Sequence, residues 1–143
     1  MKKSSRVKQI GKKEGRRSRQ SPITIVDDDE SVRAAIESLL KAMGFRAEVF
    51  ASAKDFLNSA QLNHTACLIL DVRMPGMDGL ELQRQLAAAD CRIPIVFITA
   101  HDDEDVRKRA LQAGAVDFLS KPFSEEALLS AVRSALECAA DSA

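Results

Sequence analysis

Short apolar segments alternate with stretches of helical periodicity along this chain, and that alternation restricts its fold more than any other feature. Residues 23–26 (Ile-Thr-Ile-Val) are all β-branched and residues 66–70 (Ala-Cys-Leu-Ile-Leu) are apolar without interruption. An unbroken run of this length suits a strand covered on both faces. Residues 95–98 and 115–119 read as the fourth and fifth strands, and the more polar residues 45–50 as the second.

The intervening segments read as helices. Val32, Ala35, Ile36, Leu39, Leu40 and Met43 recur at helical spacing, and Gly44 marks the stop. A short helix is expected around residues 53–58, and another, after a Pro-Gly loop, through Leu80, Leu82 and Leu86. Residues 101–113 form a charged helical stretch ending at Gly114. The last helix starts from an N-cap at Ser124 and runs through Leu128, Leu129, Val132 and Leu136. Five strand–helix units in about 120 residues predict an α/β fold with a doubly wound parallel sheet. Right-handed crossovers leave few topologies open.

Charge divides the chain in two. Residues 1–20 hold nine Lys/Arg and one Glu, whereas the other 123 residues hold twelve basic and twenty acidic side chains. The first stretch has almost no large apolar residues and is expected to be a disordered basic arm. Residues 21–140 are expected to form one domain. No apolar run is long enough to cross a bilayer, and no secretory leader is legible. Cys67, Cys91 and Cys138 are odd in number and lack a CxxC spacing, which argues against a disulfide framework or a thiolate metal site. They suit reduced thiols of a cytoplasmic protein.

Open α/β sheets bind ligands beyond the carboxyl ends of their strands. There the first strand delivers Asp27, Asp28, Asp29 and Glu30, the third Asp71, the fourth Thr99, and the fifth Ser120 and Lys121 before Pro122. The second delivers Phe50-Ala51-Ser52 and no charge, as suits an edge strand away from a site. Crowded carboxylates repel one another, and Mg²⁺, an oxygen-seeking cation, relieves that repulsion. Neither His64 nor His101 has a partner at zinc-ligand spacing. With Mg²⁺ bound, Asp71 stays ionised and can attack phosphorus. Lys121 supplies positive charge and Thr99 a hydroxyl to the phosphoryl oxygens, and small Ala100 leaves them room.

Each residue alone has an ordinary explanation. The acids at 27–30 suit a helix N-terminus, Asp71 a turn, Thr99 a strand and Lys121 a wet surface. Their arrival at one rim from four different strands makes coincidence a poor account.

The segments IVDDDE, LILDVRMPGMDGLEL, PIVFITAH and AGAVDFLSKPF, in that order, resemble the receiver domains of bacterial two-component response regulators, and the wording is closest to the FixJ-type branch. The resemblance covers about residues 22–136. It implies a flavodoxin-like (CheY-like) sheet of order 2-1-3-4-5 with helices on both faces. It makes Asp71 the phosphoacceptor, Asp27 and Asp28 the acidic pair that holds Mg²⁺ with Asp71, and the backbone carbonyl of Arg73 a further ligand. Thr99 and Lys121 contact the phosphoryl group, Thr99 and Phe118 form the switch, and Lys121-Pro122 is a cis peptide. Arg73 and His101 occupy positions that tune autodephosphorylation.

The resemblance further implies a sensor histidine kinase or histidine phosphotransfer protein as phosphodonor, an unknown downstream protein as output, and no enzymatic activity beyond self-phosphorylation and autodephosphorylation. A homodimer through the surface of the fourth helix, fifth strand and fifth helix, and weak nonspecific nucleic-acid contact through residues 1–20, stay open. So does the alternative of a fragment of a longer DNA-binding transcriptional regulator. A haloacid-dehalogenase-like phosphatase is disfavoured, because it needs a second acid two residues after the nucleophile and Arg73 stands there.

Overall fold

The computed structural model describes residues 21–142, so the basic arm expected at 1–20 lies outside the described residues. Five parallel strands form one sheet of order β2-β1-β3-β4-β5. They are β1 (Ile23–Val26), β2 (Ala47–Phe50), β3 (Cys67–Asp71), β4 (Ile95–Thr99) and β5 (Asp117–Ser120). The helices are α1 (Glu30–Ala42), α2 (Ala53–Leu57), α3 (Gly79–Ala88), α4 (Glu104–Gln112) and α5 (Glu125–Ser142), and a 3-10 turn at Ala60–Asn63 follows α2. The strand order and helical layers are those implied by the resemblance.

The period-two alternation of the strands separates two cores. Leu68 and Leu70 of β3 join Phe97, Phe118, Phe56, Leu82, Leu86 and Ala110 on the face covered by α2, α3 and α4. Cys67 and Ile69 join Val96, Ile98, Ile36, Leu40, Leu128 and Val132 beneath α1 and α5. Both faces of β3 and β4 are therefore buried throughout. Edge strand β2 is buried only at Ala47.

Several element boundaries differ from the sequence reading, for one physical reason. Phe45 and Ala115 open the stretches read as strands, but their backbone N–H groups donate to Leu40 and Ala110 carbonyls, closing α1 and α4. Gly44 (φ 90°) and Gly114 (φ 107°) supply the left-handed step in each closure. The strands consequently begin later, at Ala47 and Asp117. At the other end of α4, Asp103 caps the helix through its side chain, so the helix begins at Glu104 and leaves His101 in the preceding loop.

The register carries the strand ends to a common level. Val26 pairs with Leu70, Asp71 with Ile98, and Thr99 with Ser120. Asp27, Asp71, Thr99 and Lys121 thus leave the sheet at one rim, around the crevice between β1 and β3 where the strand order reverses.

Candidate functional site

The acidic run after β1 divides its labour. Asp29 caps α1, accepting from the N–H groups of Ser31 and Val32. Asp27 turns the other way and is fully buried, its Oδ1 accepting from the Asp29 N–H at 2.8 Å. Asp28 is exposed at the mouth. Capping and site-building are thus both real, on different residues of the same run.

Asp71, at the end of β3, faces this pair. One carboxylate oxygen from each of Asp27, Asp28 and Asp71 can be chosen so that all lie within 4.8 Å of one another. Lys121 closes the cup: its Nζ stands 3.0 Å from Asp27 Oδ2 and 3.7 Å from Asp71 Oδ1. Burial, with the neighbouring Asp27 carboxylate adding to it, pushes the Asp71 carboxyl up to about 7 against the opposing pull of Lys121. This is the electrostatic signature of a site short of positive charge.

Arg33 donates to the Asp27 carbonyl at 2.7 Å and so ties α1 to the end of β1. Lys121 is held by its own backbone, whose N–H donates to the Thr99 carbonyl at 2.7 Å, and the Lys121-Pro122 peptide is cis. Behind Asp71, Val72 donates to the Ile98 carbonyl and accepts from the Gly79 N–H. Gly79 belongs there because a side chain would not fit: an added Cβ would overlap the Asp71 carbonyl and come 3.1 Å from Phe97 Cε1.

The remaining expected residues sit further out. Thr99 is buried, and its hydroxyl exchanges hydrogen bonds with the backbone N–H and carbonyl of His101, each at 3.1 Å. Arg73 and His101 are exposed in the loops after β3 and β4. Phe118 does not enter the cup. It is 2% exposed, in the core on the α4 side, with its ring centroid 6.2 Å from that of Phe97. The sequence reading assigned no role to Arg33, Gly79 or Arg107: Gly79 stands inside a quoted motif without being singled out, and Arg33 and Arg107, the latter bound to the Phe118 carbonyl, lie outside the motifs.

A hard-oxygen acidic cup at the switch point of a 2-1-3-4-5 sheet, with one lysine across it, defines a receiver, the phosphorylation module of two-component signalling. The chain belongs to this family: residues 23–133 match the response regulator receiver domain. It is 50% identical over 121 residues to the response regulator protein TodT of Pseudomonas putida, an alignment covering 85% of this chain and 53% of TodT. Among solved structures, the response regulator StyR is 49% identical with a TM-score of 0.78, covering 85% of this chain and 62% of StyR. The crystal structure of FixJ-N is 38% identical with a TM-score of 0.77, covering 84% and 96% of the two chains. The chain spans about half the length of the curated relatives it matches.

Proposed function

We propose that Asp71 accepts a phosphoryl group from a phosphohistidine on a sensor histidine kinase or histidine phosphotransfer protein. The observation that carries this reading is the convergence of Asp71, Asp27, Asp28 and Lys121 in one cup at the sheet's switch point. The donor set is three carboxylates with no imidazole or thiolate among them, which fits Mg²⁺ better than a softer metal. Asp27, Asp28, Asp71 and the Arg73 carbonyl would hold it. When bound, Mg²⁺ neutralises the crowded carboxylates and draws charge from the phosphoryl oxygens.

The chain's own residues do the rest. The Asp71 carboxylate bonds to phosphorus as the P–N bond breaks, and the leaving imidazole keeps that electron pair and takes a proton. Lys121 neutralises a phosphoryl oxygen, and the Thr99 hydroxyl, given up by the His101 backbone, donates to another. The local charge change then alters the surface of α4 and β5 that a downstream protein reads. Arg73 and His101 govern access of the hydrolytic water. The protein performs no catalysis beyond its own phosphorylation and dephosphorylation, and works in the cytoplasm; none of its described helices is long and apolar enough to cross a membrane.

The test is intact mass after treatment with a small phosphodonor and Mg²⁺. Wild type gains one phosphoryl group, and Asp71→Asn gains none. Equal labelling of both proteins, or sustained turnover of a generic phosphate ester, overturns the reading. Because TodT is about twice as long as the aligned segment, an attached DNA-binding output domain is the alternative to a separate partner, and the full reading frame distinguishes them.

A further inference from the structure

Arg107 lies in α4, outside the acidic cup and outside every motif that identified it. Its guanidinium carbon stands 5.9 Å from the centroid of the Phe118 ring, within the range of a cation–π contact. The same side chain donates from Nη1 to the Phe118 backbone carbonyl at 3.3 Å. The Phe118 ring also packs against Phe97 of β4, which is fully buried. One residue of α4 therefore touches both the ring and the backbone of Phe118.

β5 has few other restraints on this side. It is the last strand of the sheet, paired only with β4. Phe118 is its one fully core residue, the other three being half-buried. A planar cation fits this position better than an ammonium would, because it can lie over the ring while an N–H of the same group reaches the carbonyl.

We propose that Arg107 is a positioning residue that holds Phe118 in its buried orientation and thereby couples the placement of α4 to β5. The inference rests on the phosphoacceptor reading for its functional consequence, since the α4–β5 surface is the one expected to respond to Asp71. Removing the guanidinium frees the ring and loosens β5, so the surface responds less completely to the same phosphorylation.

The experiment combines three readouts on wild type, Arg107→Ala, Arg107→Lys, Phe118→Leu and the Arg107→Ala/Phe118→Leu double variant. Intact mass after phosphodonor and Mg²⁺ reports acceptance at Asp71. Aromatic NMR reports the Phe118 ring, and hydrogen exchange reports the β5 amides. Arg107→Ala is expected to accept phosphoryl as wild type does. Its Phe118 ring signals should shift and broaden, and exchange at β5 should rise roughly two- to fivefold, the scale of one cation–π contact. Arg107→Lys should recover part of that loss, and Arg107→Ala should add less exchange in the Phe118→Leu background, where only the hydrogen bond to the residue-118 carbonyl is left to lose. Wild-type ring signals in Arg107→Ala, or an equal exchange increase in the Phe118→Leu background, overturns the proposal. Absence of a mass gain in wild type removes the phosphoacceptor reading instead, and leaves the ring and exchange results to decide the role of Arg107.

Discussion

The Lys121 ammonium sits closer to Asp27, at 3.0 Å, than to Asp71, at 3.7 Å. Asp27 is the fully buried member of the acidic group, so the one lysine in the cup stabilises a structural charge as well as facing the acceptor. Stability and chemistry are joined in this single contact.

Lys121→Ala should therefore destabilise the metal-free fold as well as impair signalling. Removing one partner of a buried pair strands the other charge, and partial exposure of the lysine moderates the loss to about 2 kcal/mol. Urea denaturation without Mg²⁺ measures it. Saturating Mg²⁺ should shrink the deficit, because the cation takes over part of the neutralisation.

Asp71 gives the stability a pH dependence of definite sign. Its proton is lost at about 7 in the folded protein against 3.8 for an ordinary aspartate. Between those values the unfolded chain ionises while the folded chain keeps the proton, so metal-free stability falls as pH rises through this window. Asp71→Asn removes that loss. The variant should exceed wild type by on the order of 2 kcal/mol at about pH 8, and the gap should close as pH falls toward about 4. Urea midpoints at both ends of the window, without Mg²⁺, check this; a gap that widened in acid would sink the assignment.

Gly79→Ala should be costly despite its small size. Its Cβ would meet the Asp71 carbonyl, the Val72 Cα and the Phe97 ring together, and two of those three are backbone atoms that cannot swing aside. A loss of about 2–3 kcal/mol is expected, with slower phosphoryl acceptance because the end of β3 must shift. Thermal unfolding and the rate of mass gain report the two effects.

Asp90→Gly should stabilise. Asp90 closes α3 at φ 56°, the same left-handed step that Gly44 and Gly114 make after α1 and α4, with the Asp90 and Cys91 N–H groups donating to Ala87 and Leu86 carbonyls. Glycine adopts that conformation without the side-chain penalty. The Asp90–Arg92 ion pair lost in exchange is largely exposed and contributes little. A net gain of about 0.5 kcal/mol, seen as a rise of roughly 2–3 °C in Tm, is expected.

Arg73→Ala and His101→Ala should alter how long the phosphoryl group persists, not whether it is accepted. Both side chains are exposed beside the rim, where they can screen the attacking water without forming the cup. Loss of the added mass over time, after removal of phosphodonor, gives the decay rate. Loss of acceptance in both variants would contradict their placement.

The order of strands and helices, the doubly buried β3, and the candidate residues at the strand ends were all determined by the sequence itself. Apolar runs and helical periodicity are local properties, and a parallel sheet carries the ends of its strands to one rim whatever the loops do. Tertiary structure alone decided how Asp27, Asp28 and Asp29 divide burial, site and cap, because three adjacent acids look alike until a helix start and a lysine 94 residues away compete for them. It also decided that Phe45 and Ala115 end helices instead of starting strands, and that Gly79 and Arg107 matter. Those roles arise from backbone carbonyls and an aromatic face presented by other segments, and contacts between distant segments leave no periodic trace along a chain.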